Sequence, residues 1–237
     1  MSRLCTICAR GGSKGVENKN VREMHGKPLI AYSIEQAKLS GLFDYIAVSS
    51  DSEDILKTAL QWGADFVINR PLEMAQDTSA KIPAIQHCVL QVEAELKISF
   101  PVIVDLDATS PLRTVDDLIQ AVRLFEQEDV SNLITGMPAR RSPYFNLVEQ
   151  NDAGFITLSK RLNNPIVRRQ DAPKCFDMNA SIYIWKREKL INEPAVFYPD
   201  TVLYEMPEER SVDIDSPLDW MIVELLMSAR KGEASYD

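Results

Sequence analysis

The chain has 237 residues, of which 45% are hydrophobic and 26% charged, so it can bury a sizeable core but is too short for more than two ordinary domains. Lys plus Arg number 26 against 35 for Asp plus Glu, a formal net charge of −9, which argues against a nucleic-acid-binding protein. No apolar run reaches the ~20 residues of a membrane span, and the apolar start is too short for a signal peptide. We therefore expect a cytoplasmic protein that binds neither nucleic acid nor a membrane.

Short apolar strands alternate with amphipathic helices over the first half of the chain. The pattern predicts strands over residues 4–9, 45–49, 65–68, 102–106 and 132–135. Apolar residues that recur three and four positions apart predict helices over residues 28–40, 52–62, 79–97 and 115–127. This alternation predicts a doubly wound, Rossmann-like α/β fold, in which helices cover both faces of a mostly parallel sheet.

A polar stretch over about residues 138–178 interrupts this plan, with several prolines, clustered arginines and no helical period. The plan then resumes with strands predicted over 181–185, 202–206 and 211–215 and a helix over 217–229. We interpret the chain as a single domain over residues 1–230 with an insertion at 138–178. Such insertions usually form an active-site lid or a subunit contact.

A glycine-rich, basic loop follows the first predicted strand. It reads Ala9-Arg10-Gly11-Gly12-Ser13-Lys14-Gly15, and Lys19, Asn20, Arg22 and Lys27 come after it. Residues 10–27 carry five basic and two acidic side chains in a chain of negative net charge. Glycines let the backbone approach a ligand, and the cations attract phosphate. The loop matches neither a P-loop nor G-x-G-x-x-G, and it predicts a polyphosphate site, with a solvated glycine turn as the alternative.

Two pairs of aspartates are spaced two residues apart in strand-like sequence: Asp105 with Asp107, and Asp213 with Asp215. Side chains two apart on a strand project from the same face, so each pair of carboxylates converges. Mg²⁺ is commonly held by one or two carboxylates together with phosphate oxygens and water. Asp213 and Asp215 are therefore candidate Mg²⁺ ligands, and the polar face of an edge strand is the alternative.

Further motifs occur in order along the chain: Arg70-Pro71, Asp77-Thr78, Thr109-Ser110-Pro111-Leu112-Arg113, Arg169-Gln170 and Asn179-Ala180-Ser181-Ile182-Tyr183. Together with the glycine-rich loop and the second aspartate pair, they resemble the acylneuraminate cytidylyltransferases, also called CMP-sialic acid synthetases. The resemblance extends from residue 5 to about residue 220. It is greatest to the bacterial branch that activates nonulosonic acids such as legionaminic acid.

The resemblance implies a nucleotidyltransferase that joins CTP to a nonulosonic acid, giving the CMP-sugar and pyrophosphate with Mg²⁺ as cofactor. The candidate sugars are legionaminic acid or a derivative, N-acetylneuraminic acid and pseudaminic acid. It also implies a homodimer that forms through the insertion, with part of each site supplied by the neighbouring subunit.

The resemblance assigns roles to individual positions. The nucleotide-binding residues are Ala9, Arg10, Ser13, Lys14, Lys19, Asn20 and, for the cytosine, Arg70. Those expected to act in catalysis are Arg10, Lys14, Lys19, Asp213 and Asp215, the last two as metal ligands. The sugar site is assigned to Asp107, Arg169, Tyr183 and Phe197. Asp107 departs from the sialic acid enzymes, which carry a glutamine there, and an aspartate would repel the acceptor carboxylate unless it binds a metal, a water or an amino substituent.

Two other functions remain open from the residues alone. A glycosyltransferase could hold a sugar nucleotide through a metal on Asp105-Leu106-Asp107, but it would leave the basic loop without a clear role. A nucleotide-binding regulator without chemistry would not need both a phosphate loop and a metal pair.

Overall fold

A computed structural model describes residues 1–76, 79–162, 164 and 168–233 of the chain. Its strands are β1 (Arg3–Cys8), β2 (Glu23–Met24), β3 (Lys27–Pro28), β4 (Tyr45–Ser50), β5 (Phe66–Asn69), β6 (Val102–Leu106), β7 (Asn132–Pro138), β8 (Val148–Gln150), β9 (Ile156–Leu158), β10 (Phe176–Lys186) and β11 (Val202–Glu205). Its α-helices are α1 (Leu29–Ser40), α2 (Glu53–Gln61), α3 (Lys81–Leu96), α4 (Val115–Glu128), α5 (Arg187–Asn192) and α6 (Pro217–Glu233). The predicted helices are all present.

In the described part of the chain, the central sheet has seven strands in the order β11-β7-β10-β6-β1-β4-β5. Among them β10 alone runs antiparallel to its neighbours, and the rest are parallel. From β1 the chain first adds β4 and β5 on one side and then crosses to add β6 on the other. This reversal is the switch point of a doubly wound sheet, so the predicted fold class is confirmed.

Alternate residues of the central strands belong to two separate hydrophobic clusters. Cys5 and Ile7 of β1 pack on the face covered by α1, α2 and α4. Leu4, one residue away, packs with Ile85 of α3 in the cluster on the other face, where α5 also lies. This period of two places every second side chain of a strand on the same face. Thr6 and Asp105 therefore lie on the α3 face.

Helix ends follow the local sequence. Thr114 and Asp117 form a capping box at the start of α4, in which each side chain accepts a hydrogen bond from the other residue's backbone N–H. Gly41 ends α1 in the left-handed conformation, with φ of 62°, which glycine adopts without a steric penalty. Among the described residues, no helix has the length and the apolar composition that crossing a bilayer requires.

The prediction of a strand over residues 211–215 is wrong. This segment is an irregular connection between β11 and α6. The backbone N–H of Ile214 donates to the carbonyl of Thr109 at 3.1 Å. This contact forms where two segments cross, and it is not part of a hydrogen-bond ladder between paired strands. Ser211 and Ile214, three residues apart, are buried, so the segment lacks the period of two that a strand in the sheet would have. The chain here crosses over the ends of the strands instead of joining them.

The predicted insertion lies between β7 and β10, and its described residues include the β8–β9 hairpin. Apolar side chains of this segment are exposed, among them Phe145, Val148, Phe155 and Ile156. Phe155 is 70% exposed and Ile156 is 61% exposed. A cluster of exposed apolar side chains of this kind is typical of a contact surface.

Candidate active site

A cleft with a volume of about 360 Å³ opens at the carboxyl ends of β1, β5 and β6. In an open α/β sheet, this edge at the switch point is where ligands bind. The cleft is lined by these predicted site residues: Ala9, Arg10, Ser13, Lys14, Lys19, Asn20, Arg70, Asp107, Asp213 and Asp215. Residues from both ends of the sequence therefore meet in one place.

Two hydrogen bonds hold the glycine-rich loop at this edge. The N–H of Gly11 donates to Asp51 at 2.9 Å, and the amide nitrogen of Asn20 donates to the carbonyl of Arg10 at 3.0 Å. The Oδ1 atom of Asn20 is buried and has no hydrogen-bond partner within the described part of the chain. Because a buried acceptor without a partner is costly, Asn20 is suited to receive a donor from a ligand in the cleft.

Arg70 is a buried cation at the end of β5. Its Nε donates to the hydroxyl of Ser49 at 3.2 Å, and one of its terminal nitrogens donates to the carbonyl of Ser49 at 2.8 Å. The side chain is thereby fixed in a single orientation in the wall of the cleft. A fixed guanidinium of this kind can read a flat polar edge such as that of a base.

The second aspartate pair lies beside the glycine-rich loop in the wall of the cleft, and its two members differ in environment. Asp213 is half-buried and hydrogen-bonds the hydroxyl of Thr109. Asp215 has 81% of its side chain exposed and lies 3.4 Å from Lys19 Nζ. Burial, together with the nearby charges of Asp107 and Asp215, raises the pKa of Asp213 to about 6. The site thus collects negative charge that a cation would relieve.

Lys81, which belongs to none of the motifs in the sequence, lies between the two members of the first aspartate pair. Its Nζ is 3.0 Å from Asp105 Oδ2 and 2.9 Å from Asp107 Oδ2. Burial acts to lower the pKa of Lys81, but the charges of Asp105 and Asp107 outweigh it and hold the pKa above its ordinary value. A cation of the protein therefore lies beside Asp107, whose side chain is 22% exposed.

The same ion pair sets the charge of Asp107. Burial alone would raise the pKa of Asp107, but Lys81 and Thr109 lower it to about 2. Asp105 is fully buried and also accepts a hydrogen bond from the Thr6 hydroxyl at 2.7 Å. Both carboxylates of this pair are thus engaged by protein groups, so the first pair is not arranged as an open metal site.

One signal for Lys81 was available in the sequence. Lys81 is the first residue of α3, a position where the helix dipole disfavours a cation. A cation there needs a nearby anion to compensate, and Asp105 and Asp107 end a strand of the same predicted sheet. Sequence separation concealed the contact, because nothing in the local spacing joins residue 81 to residues 105 and 107.

The residues assigned to the sugar site are not brought together in the way the cleft-lining residues are. Tyr183 is buried beneath Lys81, with its ring 4.6 Å from Lys81 Nζ, and stacks on Trp185. Phe197 lies between α5 and β11, is 66% exposed, and is not part of the cleft wall. The backbone of Arg169 begins a short 3-10 turn, and its side chain lies outside the described part of the chain, as do Asp77 and Thr78.

Arg113 is a second buried cation, and it holds together the elements that lie behind the cleft. It is 2% exposed and donates to the carbonyl of Ser181 at 2.6 Å and to the hydroxyl of Ser33 at 2.6 Å. It also reaches the carbonyl of Asp107 at 3.3 Å. These bonds connect α1, β10 and the segment after β6, which fixes the backbone that carries Asp107 and Thr109.

A switch-point cleft lined by a basic glycine-rich loop and an aspartate pair is the arrangement expected of an α/β nucleotide-binding protein. The cytidylyltransferase family matches residues 4–198 of the chain. The chain belongs to the cytidylyltransferases, and the family resemblance found in the sequence is confirmed.

Individual relatives cover nearly the whole chain. A Campylobacter coli protein named post-translational flagellin modification protein B is 49% identical over 231 residues, which are 98% of this chain and 97% of that protein. A Campylobacter jejuni protein named CMP-N,N'-diacetyllegionaminic acid synthase is 49% identical over 96% of this chain and 95% of its own length. The solved structure of a CMP:2-keto-3-deoxy-manno-octonic acid synthetase complexed with CTP shares the fold, with a TM-score of 0.71, 16% identity, and coverage of 97% of this chain and 100% of that one.

Proposed function

We propose that this enzyme transfers CMP from CTP to a nonulosonic acid, releasing pyrophosphate. The observation that carries the proposal is that the basic glycine-rich loop and the pair Asp213 and Asp215 line one cleft. The loop suits a triphosphate, and the pair suits the cation that accompanies a triphosphate. The family to which the chain belongs supports CTP as the nucleotide.

In this proposal the anomeric hydroxyl of the sugar attacks the α-phosphorus of CTP and loses its proton to water, and pyrophosphate leaves with the electrons of the broken P–O bond. Arg10, Lys14 and Lys19 neutralise the charge that develops on the departing pyrophosphate. Arg70, held rigid by Ser49, orients the cytosine. Asn20 accepts a hydrogen bond from the nucleotide through its Oδ1, which has no partner among the described residues. Alignment and charge neutralisation are the main contributions of a protein to such a transfer.

We assign Asp213 and Asp215 as the residues that hold Mg²⁺. Two carboxylates, with phosphate oxygens and water completing the shell, are a donor set that this ion accepts. The raised pKa of Asp213 fits a site whose negative charge is meant to be balanced by a cation. Bound Mg²⁺ would supply positive charge beside the α-phosphate.

For the acceptor we propose N,N'-diacetyllegionaminic acid or a closely similar sugar, with N-acetylneuraminic acid and pseudaminic acid as the alternatives. The proposal is supported by 49% identity to the Campylobacter jejuni CMP-N,N'-diacetyllegionaminic acid synthase. A relative named pseudaminic acid cytidylyltransferase is 32% identical, which favours the first choice.

We further propose that the enzyme is a homodimer formed through the insertion between β7 and β10, within a single domain. The exposed side chains of Phe155 and Ile156 supply apolar area that a partner would bury. Because Arg169 lies in the same segment, this arrangement would let one subunit's insertion reach its partner's cleft.

The Asp105 and Asp107 pair weighs against the glycosyltransferase alternative. A glycosyltransferase would use this pair to bind the metal of a sugar nucleotide, yet Lys81 contacts both carboxylates. A cation of the protein thus occupies the position that the metal would need.

The decisive experiment is to incubate the purified protein with CTP, Mg²⁺ and each candidate sugar, and to measure pyrophosphate and the CMP-sugar. Pyrophosphate release that requires both CTP and a nonulosonic acid supports the proposal. CTP replaced by ATP, GTP or UTP is the matched control. No release with any sugar of the panel would reject it.

A further inference from the structure

Lys81 lies in the wall of the cleft with its charge held between two carboxylates. Its Nζ contacts Asp105 Oδ2 at 3.0 Å and Asp107 Oδ2 at 2.9 Å, and the ring of Tyr183 lies 4.6 Å away. The side chain is 32% exposed and borders the cleft. Lys81 is therefore fixed in place and yet accessible to a ligand.

The hydrogen-bonding capacity of the ammonium group exceeds what the two carboxylates use. A lysine ammonium has three N–H donors. Lys81 donates one of them to Asp107 and forms an ion pair with Asp105, and the ring below is a π-face rather than an acceptor oxygen. At least one N–H is left for the accessible side of the group, which faces the cleft.

Asp107 presents an acceptor beside this donor. Its Oδ1 already accepts from the Thr109 N–H at 3.1 Å and lies 2.7 Å from the Thr109 hydroxyl, whose one proton is shared with Asp213. Its Oδ2 accepts from Lys81 and retains capacity for one more donor. A donor and an acceptor thus stand side by side at the cleft surface, in a fixed geometry.

The charge of this group of residues selects what it can bind. Lys81, Asp105 and Asp107 together carry one net negative charge, so a carboxylate of the substrate is disfavoured there. A neutral group that offers both a donor and an acceptor, such as a hydroxyl or a secondary amide, complements it. Nonulosonic acids carry both kinds of group.

We propose that Lys81 is an acceptor-binding residue that determines sugar specificity, donating a hydrogen bond to a neutral hydroxyl or N-acyl oxygen of the sugar. Asp107 accepts a hydrogen bond from the neighbouring hydroxyl or amide N–H. This inference rests on the proposed function, because it concerns the sugar that attacks CTP.

The test compares Lys81→Met with the double variant Lys81→Met/Asp107→Asn in steady-state assays with CTP and N,N'-diacetyllegionaminic acid. The single variant lacks the N–H donor and leaves two carboxylates without their cation. The double variant also lacks the donor but restores the wild-type net charge of the three positions. The double variant therefore distinguishes loss of a hydrogen bond to the sugar from loss of charge balance at the three positions. Because its net charge is that of the wild type, it is also less prone than the single variant to fail to fold.

We expect the acceptor KM to rise about tenfold or more in both variants, as for loss of a hydrogen bond to a charged group, while the CTP KM changes less than about twofold. Recovery of the wild-type acceptor KM in the double variant would show that Lys81 only balances charge, which overturns the inference. An unchanged acceptor KM in an active Lys81→Met enzyme overturns it as well and leaves the proposed function intact. A wild-type enzyme that releases no pyrophosphate overturns both.

Discussion

Gly15 and the carbonyl oxygen of Asp215 approach each other so closely that a Cβ atom on Gly15 would lie 1.8 Å from that oxygen. The backbone of the glycine-rich loop therefore touches the backbone of the segment that carries the aspartate pair. Lys19 reinforces the junction, because its Nζ donates to the carbonyl of Ile214 and lies 3.4 Å from Asp215. Two motifs from opposite ends of the chain are joined into a single wall of the cleft.

Replacing Gly15 with alanine should separate the two segments. A Cβ at 1.8 Å from backbone cannot be accommodated by a side-chain rotation, so the phosphate loop or the aspartate segment must shift. Because ångström-scale misplacement lowers turnover by ~100-fold, we expect kcat/KM to fall by about that factor. Gly12→Ala is the matched control, since a Cβ there meets nothing within 4 Å. Equal activity of the two variants would show that the junction does not matter for catalysis.

Replacing either member of the aspartate pair with asparagine should impair metal use without unfolding the protein. Asp213→Asn and Asp215→Asn each remove a charged ligand at nearly constant volume. We expect turnover to fall by orders of magnitude and the Mg²⁺ concentration for half-maximal activity to rise, with an unchanged circular dichroism spectrum. Near-wild-type activity of the double variant would remove both residues from the metal site.

The cations of the glycine-rich loop should contribute to catalysis more than to folding. Exposed charges add little to the free energy of unfolding, whereas charges beside a triphosphate act directly on the reaction. We expect Arg10→Ala and Lys14→Ala to lower kcat/KM for CTP by about tenfold or more and to change Tm little. Lys57→Ala, an exposed cation on α2, is the control. Parallel losses of Tm and activity would indicate a structural role instead.

The sequence predicted the residues of the cleft better than the backbone that carries them. Asp213 and Asp215 were expected to converge because they share one face of a strand, yet they lie in an irregular connection. Both still line the cleft, because the segment crosses the ends of the strands. Periodicity reports which side chains are buried, and it does not report whether a neighbouring strand pairs with the segment.

Contacts between distant residues are what the sequence could not supply. The apolar run of β10 reads like any other strand, and its antiparallel direction follows from pairing with β6 and β7. The contact of Lys81 with Asp105 and Asp107 likewise depends on where α3 begins relative to β6. Phe197 was assigned by resemblance alone, and its exposed position outside the cleft follows from the path of the chain between α5 and β11.

Asp117 should make the stability of the fold depend on pH below neutrality. Its buried carboxylate caps α4 and accepts two hydrogen bonds at 2.8 Å from Arg210. Burial acts to raise the pKa of Asp117, but Arg210 and Thr114 outweigh it and lower the pKa below its ordinary value. A carboxyl with a depressed pKa in the folded state stabilises above its unfolded pKa of about 4, and the contribution is lost as pH falls through the folded pKa.

We therefore expect Asp117→Asn to lower the free energy of unfolding by about 1.5–3 kcal/mol at pH 7. The difference from the wild type should shrink as the pH falls below about 4. Urea unfolding followed by circular dichroism at several pH values measures this. Asp116→Asn, at an exposed position in the same turn, should show no such trend. A difference that stays constant down to pH 3 would contradict the assignment.

Arg169 provides a test of whether the active site is shared between subunits. The family resemblance places it on the acceptor, and its planar guanidinium suits the carboxylate that every nonulosonic acid carries. We expect Arg169→Ala to raise the acceptor KM by about tenfold or more and the CTP KM far less. Arg168→Ala is the matched control, because Arg168 pairs with Asp171 at 3.0 Å in an exposed position.

Mixed dimers of Arg169→Ala and Asp213→Asn protomers then distinguish the two possible arrangements. If the insertion of one subunit completes its partner's cleft, one of the two sites in a mixed dimer has both Asp213 and a partner's Arg169 intact. The other site lacks both groups, so mixing should restore about half of the wild-type activity per dimer. If Arg169 serves its own subunit, every site keeps one defect and mixing restores nothing. The activity of verified mixed dimers therefore decides whether the exposed insertion is part of the catalytic machinery or only a contact between subunits.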